Sequence, residues 1–341
     1  MTTDMNTTAT IAANTHYNAL VVERLSDDFS GLVLQSLTVT PPGPQQVLVR
    51  VRAAALNFPD VLLTQGKYQF TPLLPFVPGL EASGQVVAVG PGVEHVRAGD
   101  AIVAQTRQGG ALGQMMLADA SEVRHMPANL SWEEASAYSA AGMTAYVSLV
   151  HRGQLQAGET LLVHGASGGT GLATVQLGRH LGARVIATGR SPEKLEAARD
   201  AGAHELLQVG ENLREDIMRL TDNKGVDVAF DPIGGDVFDA SLRSLAWGGR
   251  LLVVGFLGGR IAELKSNYVL IKNISVIGIR AGEFVRRNLA QGARVMREVD
   301  SLATQGVLKP HICARFALED SAQGLRMLAR GQATGKVVVT M

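Results

Sequence analysis

Residues 160–183 read TLLVHGASGGTGLATVQLGRHLGA, an apolar strand that runs through a turn of small residues into a helix. Few folds accommodate that order, and it is the context that a dinucleotide-binding turn requires. The pattern A-x-G-x-x-G falls on Ala166, Gly168 and Gly171. Gly168 would let the backbone approach a pyrophosphate, and Gly171 would let the helix pack close to its strand. The free N–H groups at the helix start, around Gly169 and Thr170, would bind the anion. Alanine replaces the first glycine of the usual pattern, which weakens the bare motif.

The rhythm around this stretch strengthens it. Apolar runs alternate with helical ones, the strands being 160–166, 183–189, 204–209, 226–231, 250–256 and 274–279. Near-continuous apolar strands are expected where both faces of a parallel sheet are covered, so the segment predicts one doubly wound sheet. The second strand ends TGRSPEK, with no acid before Glu193. An NAD site would place a carboxylate there for the ribose 2′-hydroxyl, whereas Arg190, with Ser191 and Lys194, suits a 2′-phosphate. The expected cofactor is NADPH. Asp231 after the fourth strand, and Gly255 and Phe256 after the fifth, stand at strand ends that would line a cofactor crevice, although ordinary turn chemistry accounts for them equally well.

The preceding half has a different texture. QQVLVRVRAAAL alternates Val47, Val49 and Val51 with Arg50 and Arg52, as a half-buried strand does, and turn-rich segments follow it. This predicts a small irregular β-barrel. Ser131 and Glu134 form a capping box that opens the next helix. A long helix is expected from about Glu283 to Leu302, and the strand-like tail ICARFAL and GKVVVT is expected to return to the barrel. The boundaries read from the chain are a leader over 1–16, a barrel domain over 17–133 and 283–341, and a dinucleotide domain over 134–282.

Composition removes other classes. Lys plus Arg equals Asp plus Glu at 31 each, without a basic stripe, which disfavours nucleic acid. No apolar run reaches the roughly 18 residues of a membrane span. The single cysteine, Cys313, excludes intramolecular disulfides and cysteine-rich zinc sites, and a cytoplasmic home fits it best.

The stretches AALNFPDVLLTQGKY, PFVPGLEASGQVVAVGPGV, AAGMTAYVSL, LLVHGASGGTGLATVQL and GVDVAFDPIGG together resemble the medium-chain dehydrogenase/reductase superfamily. The resemblance implies an α/β protein made of a GroES-like β-barrel domain and a Rossmann domain. In zinc-dependent members PGLE would be a glycine–histidine–glutamate sequence supplying metal ligands. Here Leu80 replaces that histidine, while Asn57 and Ala141 stand in for cysteine ligands. Such a site has neither the ligand number nor the softness for zinc. The branch most resembled is the NADPH-dependent, zinc-independent quinone oxidoreductases, which act on a quinone or similar conjugated carbonyl. By that resemblance Tyr68 and Asn57 stand at the chemistry, Tyr68 as proton donor or polariser and Asn57 at the nicotinamide ribose. It further implies cofactor contacts from Thr144 and Lys336, and a homodimer formed through the edge strand 274–279. Where some relatives carry a cofactor-covering tyrosine this chain has Val209. Two alternatives stay open: an enoyl-thioester reductase whose basic rim would be Arg286, Arg287, Arg294 and Arg297, and an NADPH-binding protein without turnover.

Overall fold

The structure, a computed structural model, describes residues 15–341, and the expected leader lies outside them up to residue 14. The chain forms two compact units. The first opens with an antiparallel pair, β1 (His16–Val22) and β2 (Leu32–Thr38). It continues with β3 (Gln46–Leu56), helix α1 (Phe58–Thr64), β4 (Glu81–Val89), β5 (Ala101–Gln105), β6 (Met115–Asp119), β7 (Val123–His125) and helix α2 (Trp132–Ala137). The alternation read in β3 is real: Val47, Val49 and Val51 are buried in the barrel core while Arg50 and Arg52 are exposed. Each buried valine there contributes about 1.5–3 kcal/mol.

The second unit begins with helix α3 (Ser139–Tyr146), which passes into a π-helical stretch, Val147–Arg152. Then strands and helices alternate: β8 (Thr160–Val163), α4 (Gly169–His180), β9 (Arg184–Gly189), α5 (Pro192–Asp200), β10 (Glu205–Gln208) and α6 (Leu213–Leu220). After them come β11 (Val226–Asp231), α7 (Gly235–Ser244), β12 (Leu245–Val253), α8 (Ser266–Lys272) and β13 (Ser275–Gly278). These strands form one parallel sheet in the order β10-β9-β8-β11-β12-β13. The order reverses beside β8, the topological switch point at which such sheets bind ligands. Leu161, Leu162 and Val163 are wholly buried, which is why this strand reads as a continuous apolar run.

The long helix expected over 283–302 is two helices, α9 (Ala281–Arg287) and α10 (Leu289–Thr304). Asn288 breaks it with an extended backbone, and its side chain accepts the N–H of Gln291 as the cap of α10. Gly292 makes the fold-back possible, since a Cβ there would stand 2.2 Å from the carbonyl oxygen of Val285. The tail returns as expected, with β14 (Ile312–Ala317), helix α11 (Ser321–Ala329) and β15 (Lys336–Thr340). β15 pairs antiparallel with β3, setting Val337 opposite Leu56.

The boundaries differ from those read in the sequence, because the second unit covers 140–311 and the first takes the rest of the described chain. α2 lies on β3 and β4, with Ala137 packed beside Ala53 and Ala55, and so belongs with the barrel. α10 stays with the parallel sheet. It crosses close to α3 at Gly142, where a Cβ would come within 3.0 Å of Val299.

Candidate active site

The PGLE turn leads into β4, and Gly79 adopts φ +94 with no room for a Cβ beside the backbone N–H of Leu112. The turn delivers Glu81 to a buried position that is 1% exposed. There Lys336, the first residue of β15, meets it: the ammonium donates to Glu81 Oε2 at 3.2 Å and to Asn57 Oδ1 at 2.7 Å. Lys336 is buried too, so its ammonium meets these two groups away from solvent.

This arrangement settles how Asn57 is oriented. A lysine ammonium only donates, so the atom facing it is the amide oxygen. The amide nitrogen then donates to Glu81 Oε2 at 3.1 Å and to the Ala55 carbonyl at 3.3 Å. Both amide protons are committed, and what remains is one lone pair on Oδ1. Such a group can receive a hydroxyl proton, as from a ribose, but cannot polarise a carbonyl oxygen.

Sequence reasoning missed the fourth member, Asp60. It is wholly buried in α1, and its Oδ2 accepts the backbone N–H of Asn57 at 2.8 Å. Burial pushes its carboxyl up to about 7, against the pull of the Asn57 N–H and the Lys336 ammonium, while the Glu81 carboxylate adds to the rise. Asp60 therefore holds a proton more tightly than an exposed carboxyl does, although the Lys336 ammonium pulls the other way. An acid at the N3 position of a helix that starts Asn-Phe-Pro was the available signal.

Tyr68 is half-buried in the loop after α1, and its hydroxyl bonds to no protein group among the described residues. Its ring meets Phe70 edge-on, with centroids 5.3 Å apart and planes at 70°. The Arg107 guanidinium covers the other ring, 4.8 Å from the Phe70 centroid. The phenol is therefore held from behind and left free at its tip. Phe76, in contrast, is a buried core residue.

In the second unit the predicted residues gather at the carboxyl ends of the parallel strands. Gly165, unnoticed in the sequence, adopts φ +59 and makes the tight turn, which explains why Ala166 can follow it. A Cβ at Gly171 would stand 2.3 Å from the Gly165 carbonyl oxygen, so this glycine serves helix–strand packing. Gly168 is different: its φ is ordinary, and a Cβ there would meet nothing nearer than 3.4 Å. The protein itself does not need a glycine at 168, whereas a ligand approaching the backbone would. No side chain caps α4, so the N–H groups around Gly169 and Thr170 face a place fit for an anion.

Behind this turn His164 is fully buried, with Nδ1 2.7 Å from Thr188 Oγ1 and Nε2 2.6 Å from Ser241 Oγ. Ser241 donates its own proton to the Val237 carbonyl, so Nε2 carries the imidazole proton and Nδ1 accepts from Thr188. Burial lowers its pKa to about 3 and keeps the ring neutral.

Ser191 caps α5, and Arg190 beside it is exposed, with no ion pair or hydrogen bond to its guanidinium among the described residues. Lys194 donates its backbone N–H to Ser191 Oγ. Asp231 Oδ1 accepts the N–H groups of Ile233 and Gly234 at 2.8 and 2.9 Å, and burial raises its carboxyl above the usual range. Its Oδ2 is buried without a hydrogen-bond partner among the described residues. Leu257 and Gly258 donate to the carbonyls of Pro232 and Ile233, which ties the Gly255–Phe256 turn to the Asp231 loop. Thr144 spends its hydroxyl on the Ala140 carbonyl within α3.

An N-terminal barrel that carries a buried polar cluster, followed by a parallel sheet with a glycine-rich strand–helix turn at its switch point, defines a nucleotide-dependent oxidoreductase of the alcohol dehydrogenase type. Two family profiles match in that order, the alcohol dehydrogenase GroES-like domain over residues 43–156 and the zinc-binding dehydrogenase over 169–298. Quinone oxidoreductase-like protein 2 of Mus musculus is 36% identical over 96% of this chain and 93% of its own length. The solved structure of a mycobacterial protein complexed with NADPH has a TM-score of 0.87 at 28% identity, covering 95% of this chain and all of that one. A third relative, mycoketide-CoA synthase of Mycobacterium tuberculosis, is 35% identical over 88% of this chain, though the match spans only 7% of that protein. The chain belongs to the medium-chain dehydrogenase/reductase superfamily, as a quinone oxidoreductase-like oxidoreductase.

Proposed function

We propose that the chain is an NADPH-dependent reductase of quinones or similar conjugated carbonyl compounds that works without zinc. The observation that carries this is the ammonium of Lys336 against Glu81, in the segment where zinc-dependent members would supply metal ligands. A cation from the chain itself neutralises the carboxylate there, and no His or Cys stands at Leu80 or Asn57 to complete a metal site.

The second unit fits the cofactor. The turn at Gly168–Gly171 and the uncapped start of α4 would hold the pyrophosphate, with Asp231, Gly255 and Phe256 lining the strand ends. Arg190, Ser191 and Lys194 would hold the 2′-phosphate. Asn57, fixed by Lys336, would receive a ribose hydroxyl. NADPH, when bound, supplies the hydride. The chain supplies the proton: Tyr68, held by Phe70, donates from its free hydroxyl to the acceptor oxygen, and solvent restores that proton. The sum is quinone plus NADPH plus a proton to hydroquinone plus NADP⁺. Positioning does the rest, because a conjugated acceptor spreads the arriving charge over its own π system.

The similarity to mycoketide-CoA synthase, a protein whose name carries coenzyme A, supports keeping an enoyl-thioester as the second substrate class. Against it, Arg286 and Arg287 of the supposed basic rim are engaged by Glu283 on their own helix. β13 ends the sheet with its outer edge unpaired among the described residues, which supports a homodimer formed there. Sedimentation equilibrium giving twice the chain mass would agree with that assembly.

The test is the initial rate of NADPH oxidation by metal-free protein with ortho- and para-quinones, a simple enone and crotonyl-coenzyme A. Quinone turnover is expected. Turnover of the thioester alone would replace this reading with the second, and NADPH binding without any turnover would leave a binding protein.

A further inference from the structure

The start of α5 holds an anion of its own. Ser191 Oγ donates to Glu193 Oε2 at 2.6 Å, and the backbone N–H of Glu193 also bears on that carboxylate. The remaining donor of the first turn, the N–H of Lys194, goes to Ser191 Oγ, and Pro192 has none to give. The serine hydroxyl that a 2′-phosphate would use is thus already donating to a carboxylate. Arg190 is not so engaged.

We infer that Glu193 is a specificity-determining residue that competes with the cofactor's 2′-phosphate and thereby narrows the preference for NADPH over NADH. The inference rests on the NADPH reading above and goes beyond it. A 2′-phosphate carries negative charge into a place where Glu193 already supplies one. To reach Ser191 it must displace the carboxylate, and Arg190 must offset the repulsion that remains. A ribose 2′-hydroxyl meets no such conflict, because it can donate to Glu193 as the serine does. The chain therefore holds both devices at one strand end, a guanidinium that favours the phosphate and a carboxylate that favours the hydroxyl. The acid lies two residues later than Ser191 rather than at the strand end itself, which is why the strand appears to lack one.

The test is binding of NADP⁺ and NAD⁺ by isothermal titration calorimetry to the full chain and to Glu193→Gln, with Glu196→Gln as a control. Glu196 is on the same helix, paired with Arg199, and carries the same charge away from Ser191. Glu193→Gln is expected to tighten NADP⁺ about two- to fivefold and weaken NAD⁺ by a similar factor, the range for one exposed charge contact. The change should shrink in 0.5 M salt, where the Debye length falls to about 4 Å. Glu196→Gln should leave the ratio of affinities unchanged. An unchanged ratio in Glu193→Gln, or an equal shift in both glutamine variants, overturns the inference while the cofactor reading stands. A wild-type chain that binds neither dinucleotide removes the cofactor reading and this inference with it.

Discussion

Lys336 Nζ lies 3.2 Å from Glu81 Oε2, with 5% and 1% of the two side chains exposed. Removing one partner of a buried pair leaves the other charge without compensation. Lys336→Met should therefore cost about 3–5 kcal/mol. The double variant with Glu81→Gln should recover much of that loss, since no buried charge is then orphaned. A double-mutant cycle by urea unfolding measures it, and simple additivity of the two variants would contradict the pairing.

Asp60 and His164 pull the pH dependence of stability in opposite directions. Burial raises the native carboxyl of Asp60 from the ordinary 3.8 to about 7, so its contribution is full below 3.8 and lost as pH rises to 7. His164 titrates near 3 when folded against 6.5, so stability is lost as pH falls from 6.5 to 3. Each contributes up to about 1.4 kcal/mol per pH unit where its native and unfolded states differ by a whole proton. Between 3.8 and 6.5 the two slopes oppose each other. Asp60→Asn should remove one of them and make stability rise more steeply with pH in that window, as read by denaturant unfolding at several pH values. A curve parallel to wild type would mean that Asp60 is ionised in the native state.

The two glycines of the strand–helix turn should respond differently to alanine. At Gly171 a Cβ would meet backbone at 2.3 Å, and Gly171→Ala should cost about 1–3 kcal/mol or more as the turn is forced apart. At Gly168 the nearest atom is 3.4 Å away, so Gly168→Ala should keep its stability within about 0.5 kcal/mol. Its affinity for NADPH should fall about tenfold or more, a loss of roughly 1.4 kcal/mol. Thermal melts with and without NADPH separate the cases, and unaltered binding by Gly168→Ala would remove the assigned role of that glycine.

Tyr68→Phe keeps the ring edge-on to Phe70 and deletes only the free hydroxyl. With a quinone acceptor kcat should fall about 10²-fold, the lower end of general acid catalysis. NADPH affinity and thermal stability should not change. A wild-type rate would show that solvent protonates the product directly.

The parallel sheet, its glycine turn and the returning tail were legible because they are written in local pattern. Apolar runs covered on both faces, a glycine-rich strand–helix turn and an alternating Val/Arg strand each follow from a few neighbouring residues. The single helix read over 283–302 failed locally as well, since an apolar stripe does not register a cap at Asn288 or the close approach that Gly292 allows. The polar cluster could not be read this way. Lys336 and Asn57 are 279 positions apart, and only the pairing of β15 with β3, which sets Val337 opposite Leu56, brings them together. The sequence by itself determined which backbone turns could form and which side chains stand along the PGLE turn. The tertiary structure decided that a lysine from the last strand would stand beside Glu81, because burial of an unpaired carboxylate is too costly and the register of one strand pair puts an ammonium within reach.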